Sequence, residues 1–189
     1  YREILLTSKK VNYFYNHITV IGSSLFKYNY VIPAKLNKKV LVSLQFTHDH
    51  SDDENKKIAN SLEQLIKTES SFHFYLKNHP RFNNEVDLSS LLKLENVSLT
   101  NKSIYDCLSE CKLHATAYST TVFEAASIGV PTVFYSDWKI DIYKNQFNYP
   151  INTLDVTLKK HDELQIKIEN WHKSYYETLN ETAWLKLVQ

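Results

Sequence analysis

The stretch from Leu113 to Ser136, LHATAYSTTVFEAASIGVPTVFYS, constrains the fold more than any other part of the chain. It parses as strand, polar turn, helix, turn, strand. LHATAY is a mostly apolar run of buried-strand length. Ser119, Thr120 and Thr121 follow it, and all three are good helix N-cap residues. From Thr121 to Ile128 the chain carries Val122, Ala125, Ala126 and Ile128 at near-helical spacing. Gly129 then sits where a helix end favours positive φ, and Pro131 stops the helix. PTVFYS reads as a second buried strand. Two apolar strands joined by a helix make a βαβ unit and therefore a parallel sheet. The Ser-Thr-Thr turn lies at the carboxyl end of one strand and the N-terminus of the next helix. Open α/β sheets bind ligands at that edge, and helix amides favour phosphate there.

The rest of the chain continues the alternation. KKVLVSLQ (38–45) is apolar on both faces, as a central parallel strand should be. The polar loop FTHDHSDDE follows, and Ser51, Asp52 or Asp53 caps a helix that runs to about Thr68 with Ile58, Leu62, Leu65 and Ile66 on one face. FHFYLK (72–77) is the second strand, ended by Pro80 in NHPRF. A short helix is expected from Asp87 to Lys93, a brief strand at Val97–Leu99, and a helix IYDCLSECK capped by Ser103. After PTVFYS, DWKIDIYKNQFNYPIN reads as an aromatic, polar loop, and one or two helices from His161 close the chain. The expected fold class is α/β: a Rossmann-like layered domain with a mostly parallel sheet flanked by helices. Residues 1–34 read as a lead-in or interdomain linker, 35–160 as the Rossmann-like domain and 161–189 as closing helices.

Composition excludes several functions. The 189 residues carry 22 basic and 21 acidic side chains, a formal net charge of +1, so no bulk field favours nucleic acid or a membrane surface. No apolar run approaches the ~20 residues of a membrane span. YREILLTSKK has no apolar segment behind it, so no signal peptide is expected. The chain opens on Tyr and contains no Met, which reads as a piece of a longer protein. With only two glycines, neither common type of glycine-rich phosphate loop fits anywhere. The two cysteines, Cys107 and Cys111, share a helix face at i and i+4 spacing, and the expectation is a buried apolar pair rather than a disulfide or metal site.

Three loops follow successive strands: FTHDHSDDE, NHPRF and the Ser-Thr-Thr turn. In a parallel sheet all three reach the carboxyl edge and can converge. Their side chains suit an anionic ligand. His79 can donate to a phosphate oxygen, and Arg81 offers bidentate bonds to phosphate or carboxylate. Ser119, Thr120 and Thr121 supply hydroxyls and helix-terminal amides. Glu124, one turn into the helix, is an acceptor suited to a ribose diol. Each part has an ordinary structural reading: His-Pro as a strand exit, Ser-Thr-Thr as a cap, Glu124 as a favourable charge in a first helical turn. Their order, each at a strand end, favours function. His48 and His50 lie on one side if the segment is extended, with Asp49, Asp52 and Asp53 near, but a solvated loop is the commoner meaning of such a run. No metal is expected. The Gly-x-Ser-x-Gly of a hydrolase nucleophile elbow is absent from the sequence.

NHPRF after a strand, followed roughly 40 residues later by AYSTTVFEAASIGVPTVFY, resembles the C-terminal, donor-nucleotide half of GT-B glycosyltransferases of bacterial surface polysaccharide synthesis. Bacterial sialyltransferases and polysialyltransferases, capsule transferases and teichoic-acid glycerophosphotransferases carry such His-Pro and Ser/Thr motifs. VIGSSLFKY is similar to the lead-in to their second domain, with Ser24 in place of the usual Pro. The resemblance covers about residues 18–140. It implies that His79 contacts the nucleotide phosphate and stabilises the leaving group, that Ser119 and Thr120 bind the same phosphate, and that Glu124 holds the ribose hydroxyls. It implies a nucleotide-sugar donor (CMP-linked by the His-Pro motif), a capsule polysaccharide or glycolipid acceptor such as lipopolysaccharide, no obligatory metal or other cofactor, and a cytoplasmic site of action, with the full-length protein peripheral at the inner face of the membrane. The general base of such enzymes comes from an N-terminal domain, so this chain alone is expected to be inactive. Two other readings stand beside it: a nucleotide-sugar 2-epimerase-like domain, and a non-catalytic α/β interaction module whose 13 tyrosines mark a protein or glycan surface.

Overall fold

The computed structural model describes residues 38–83, 85–137, 139–151 and 161–175, together with Thr182 and Leu185. The lead-in 1–34, with VIGSSLFKY, lies outside the described residues, as do 152–160 and most of the chain after 175. In order, the elements are β1 (Lys39–Ser43), α1 (Asp52–Thr68), β2 (His73–Lys77), α2 (Ser89–Leu92), β3 (Val97–Leu99), α3 (Ile104–Glu110), β4 (Leu113–Thr116), α4 (Thr121–Ser127), β5 (Thr132–Phe134), α5 (Ile140–Phe147) and α6 (His161–Tyr175). The five strands form one sheet in the order β3-β2-β1-β4-β5, and every pairing is parallel. The fold is the expected Rossmann-like α/β domain. Strand order reverses beside β1: the chain moves outward to β2 and β3, then crosses back to β4 and β5.

Alternation along β1 places the core on both faces of the sheet. Val40, Val42 and Leu44 join a large cluster with Ile58, Leu62, Leu65 and Ile66 of α1. Leu41 faces the other way, against Cys107, Leu108, Cys111, Ala125, Ile128 and Val130. Both cysteines are buried free thiols, and burial pushes Cys111 up to about 12, so it stays protonated and packs as a small apolar side chain. A buried, hydrogen-bonded set of polar groups shares this second face. The fully buried His114 bonds Thr132 Oγ1 through Nδ1 (2.9 Å) and Ser43 Oγ through Nε2 (2.9 Å), while the Thr116 hydroxyl donates to the Ser43 carbonyl (3.1 Å).

Local chemistry sets the helix ends. Ser51 caps α1 through a capping box: its hydroxyl accepts from the Glu54 amide (3.3 Å), and the Glu54 carboxylate accepts from the Ser51 amide (2.8 Å). Ser51→Ala is expected to cost about 1 kcal/mol, which lowers the melting temperature by roughly 3 °C in a domain of this size; a scanning thermal melt checks it. At the far end of α4, Gly129 adopts φ 81°, Val130 N–H donates to the Ala125 carbonyl (2.8 Å) and Gly129 N–H to that of Ala126 (3.1 Å). This is a Schellman motif, and it requires the left-handed residue that glycine supplies without strain.

The segment read as a loop after β5 contains a helix instead. In α5, Ile140, Tyr143 and Phe147 recur at i, i+3 and i+7, and the rings of Tyr143 and Phe147 pack with Phe123 and Phe134. α6 closes this side with Leu164, Ile168 and Trp171 buried, and the Trp171 indole donates to the Phe147 carbonyl (2.8 Å). Among the described residues no helix is long and apolar enough to cross a membrane.

Candidate functional site

Register brings the loops together. Ser43 of β1 pairs with Lys77 of β2 and with Thr116 of β4, so the three following loops leave the sheet at one level. The gap between the β1 and β4 loops is the topological switch point, where open α/β sheets form a crevice.

The β1 and β2 loops are tied side by side. Thr47 bridges Phe82 in antiparallel fashion, and Asn83 N–H donates to the Phe46 carbonyl (2.9 Å). Arg81 grips Asp49 with its two terminal guanidinium nitrogens, at 3.3 and 2.9 Å, one to each carboxylate oxygen. Arg81 N–H also donates to His79 Nδ1 (3.1 Å). With Nδ1 accepting, the proton of neutral His79 sits on Nε2, which is then the donor offered to a ligand. Partial burial lowers the His79 pKa, the Arg81 guanidinium lowers it further, and Asp49 pulls the other way. The imidazole is therefore neutral at pH 7.

A second tie crosses the switch point. His50 is buried, and its Nδ1 donates to Asn55 Oδ1 of α1 (3.3 Å). Its Nε2 then accepts from the Tyr118 hydroxyl at the end of β4. His48 is exposed, so the two histidines do not share one side as they would in an extended segment. Among the described residues no group of His, Cys, Asp and Glu could hold a metal ion.

The Ser-Thr-Thr turn is more self-contained than its sequence suggests. Ser119, not Thr120, caps α4: its hydroxyl accepts from the Thr121 amide (3.2 Å) and donates to Thr121 Oγ1 (3.0 Å), and its carbonyl accepts from Val122 N–H (3.1 Å). Ser119 is only 8% exposed, whereas Thr120 is exposed and Thr121 half-buried. The first amides of this seven-residue helix are thus already bonded. Glu124 is half-buried one turn further on, and burial raises its pKa. Its Oε2 is buried with no hydrogen-bond partner among the described residues, so it is an acceptor waiting for a donor.

The β5 loop adds a group that the sequence reading did not single out. Lys139 has φ 58° and ψ 9°, left-handed for a side-chain-bearing residue; such a conformation costs on the order of 1 kcal/mol. Its ammonium stands over the Tyr118 ring, 4.9 Å from the centroid. The structure therefore joins His79, Arg81 and Asp49 into one group and His50, Tyr118 and Lys139 into a second. Asp49, Arg81 and Glu54 all act electrostatically on Tyr118, so the groups adjoin. Ser119 follows Tyr118 directly, and Glu124 stands apart with no bond to either group. Tyr118 and Lys139 had only their positions at strand ends to signal them.

This architecture is the Rossmann-like fold of GT-B glycosyltransferases. The wall teichoic acid polymerase TagF is similar over 98% of this chain and 49% of its own, at 17% identity and a TM-score of 0.51. A TagF variant gives a TM-score of 0.54 at 16% identity over the same 98% of this chain and 48% of its own. The glycosyltransferase SnogD from Streptomyces nogalater matches 85% of this chain and 45% of its own, at 16% identity and a TM-score of 0.50. The chain thus spans about half the length of these structures. No protein-family model and no curated protein matches it.

Proposed function

We propose that the chain is the donor-nucleotide half, the C-terminal one, of a GT-B glycosyltransferase of surface polysaccharide synthesis. It binds a nucleotide-sugar, CMP-linked in the first instance, and a partner domain supplies the general base and the capsule or lipopolysaccharide acceptor site. One observation carries the reading: the β1, β2 and β4 loops are tied together at the switch point, with His79 oriented to offer Nε2–H. The shared fold supports it, and a TagF structure obtained by soaking with CDPG offers a precedent for a nucleotide ligand.

In this reading His79 donates to the donor phosphate and takes up the charge that builds on the leaving group. The exposed Thr120 and the half-buried Thr121 flank that phosphate, and Ser119 holds their turn in shape. The unpartnered Glu124 carboxylate accepts from the ribose hydroxyls. Arg81, already bonded to Asp49, supports the His79 loop, and it reaches phosphate only by exchanging one carboxylate oxygen for it. No metal or other cofactor is called for. The full-length enzyme works in the cytoplasm, at the inner face of the membrane where such acceptors are built.

The test is calorimetric titration of the chain with CMP, CDP, UDP and GDP. One nucleotide is expected to bind preferentially, and the preferred base names the donor class. Failure of all four at millimolar concentration, in this chain and in the full-length protein, overturns the reading in favour of an interaction module. A pH dependence follows. His79 is held neutral in the free protein, and a bound phosphate raises its pKa, so binding takes up a proton. Affinity is expected to rise as pH falls from about 8 to 6, by less than tenfold per pH unit. Calorimetry in buffers of different ionisation enthalpy reads the proton uptake directly.

A further inference from the structure

We propose that Tyr143 of α5 and Glu124 of α4 form a donor–acceptor pair that reads two neighbouring hydroxyls, the ribose diol of the bound nucleotide. Two polar groups left without a partner carry the assignment. Glu124 Oε2 is buried with no hydrogen bond among the described residues, on a side chain that is half-buried rather than sealed. Tyr143 is 6% exposed, and among the described residues nothing accepts the proton of its hydroxyl. A buried polar group without a partner is costly, and two of them side by side point to a ligand that completes both.

Packing holds the pair in place. Tyr143 lies one turn into α5, its ring 5.0 Å from Phe134 and 6.0 Å from Phe123, the residue before Glu124. Asn148 closes the helix in a left-handed conformation, and Tyr149 N–H donates to the Tyr143 carbonyl (2.9 Å). The Tyr143 hydroxyl oxygen faces the Ser119 amide, and the Glu124 carboxylate is near enough to act on it electrostatically. Burial above all, with that carboxylate adding to it, pushes Tyr143 up to about 12, so the hydroxyl keeps its proton at neutral pH and serves as a donor. Chemistry narrows the ligand. An unpaired carboxylate repels a phosphate oxygen, whereas two adjacent alcohols give a proton to Glu124 and a lone pair to Tyr143. Ser119 leads the turn assigned to the donor phosphate, and in a 5′-nucleotide the ribose is joined directly to that phosphate. The inference rests on the donor reading, which gives Glu124 to the ribose; it adds the second group and the hydroxyl selectivity that the two produce.

The experiment compares wild type, Tyr143→Phe, Glu124→Gln and His79→Ala by calorimetry. The probes are CMP, UMP and GMP, the 2′-deoxy and 3′-deoxy forms of each, and pyrophosphate. Tyr143→Phe keeps the ring in its aromatic cluster and removes only the hydroxyl. It is expected to weaken the preferred ribonucleotide about fivefold, as for loss of one neutral hydrogen bond, and Glu124→Gln about tenfold. In each variant the wild-type preference for that ribonucleotide over one of its deoxy forms shrinks by the same factor, and pyrophosphate is unaffected. An equal loss for pyrophosphate and every nucleotide form makes Tyr143 only a prop for the Ser119 turn and overturns the inference. An equal loss for the ribo and deoxy forms that spares pyrophosphate assigns the pair to the base, and also overturns it. A nucleotide bound through His79 with Tyr143→Phe unaffected overturns the inference and leaves the donor reading standing. If wild type binds no nucleotide, both fall.

Discussion

Replacing His114 by alanine is expected to remove about 3 kcal/mol of stability at neutral pH, the sum of a small cavity and two orphaned hydroxyls. The imidazole is the hub of three strands, bonded at 2.9 Å to Ser43 of β1 and to Thr132 of β5, and it has no exposure. Burial drives its pKa down to about 3, because charging the ring there would desolvate a cation with no anion beside it. In the unfolded chain the same ring titrates near its ordinary value. Between about pH 6.5 and pH 3 the unfolded state therefore binds more protons than the native state, and stability falls as pH falls, by up to ~1.4 kcal/mol per pH unit. Above pH 6.5 the contribution is fully present. His114→Gln keeps polar atoms in place without a titrating proton, so it is expected to be less stable at pH 7 but flatter between pH 7 and 4.5. Urea unfolding followed by tryptophan fluorescence across that range decides the matter, and equal pH slopes for wild type and His114→Gln would refute the assignment.

His79→Ala is expected to weaken nucleotide binding roughly thirtyfold, the loss of one charge-assisted hydrogen bond to phosphate. In the full-length enzyme the rate of transfer should fall further, by about a hundredfold or more, because the bond strengthens as charge develops on the departing phosphate. The loss should therefore appear in kcat as well as KM. His79→Gln restores an N–H donor without a titrating group; it is expected to recover part of the affinity and to abolish proton uptake on binding. A His79→Ala variant that binds nucleotide like wild type, with its melting temperature unchanged, would remove His79 from the site and leave the His-Pro pair as a strand exit. The Arg81 amide that His79 now accepts makes the tautomer, and hence the direction of donation, a property of the loop.

Most of the fold was legible because its signals are local. Five apolar runs of strand length alternate with amphipathic helices, Ser103 caps where it was expected, and Ser51 is the one of three candidates that caps α1, each accepting from the amide three residues on. Ser-Thr-Thr showed where the next helix starts but not which residue caps it, because all three side chains qualify and only the folded geometry decides: Thr120 is already helical with φ −62° and ψ −17° and makes no side-chain cap bond, while the Ser119 hydroxyl accepts from the Thr121 amide. α5 was missed although Ile140, Tyr143 and Phe147 have helical spacing. The flanking left-handed positions are held by Lys139 and Asn148 rather than by the glycine that normally marks such boundaries, although Pro150 does follow the helix end.

The sequence by itself determined the strand–helix alternation, the parallel sense of the sheet and the edge at which three polar loops meet, since period, caps and the βαβ rule act over short spans. The tertiary structure alone decided which side chains meet across that edge. The Arg81–Asp49 pair joins residues 32 apart and the His50–Tyr118 bond residues 68 apart. Such partnerships depend on strand order and register, and strand order is set by which faces bury which core, a global balance that no local window contains.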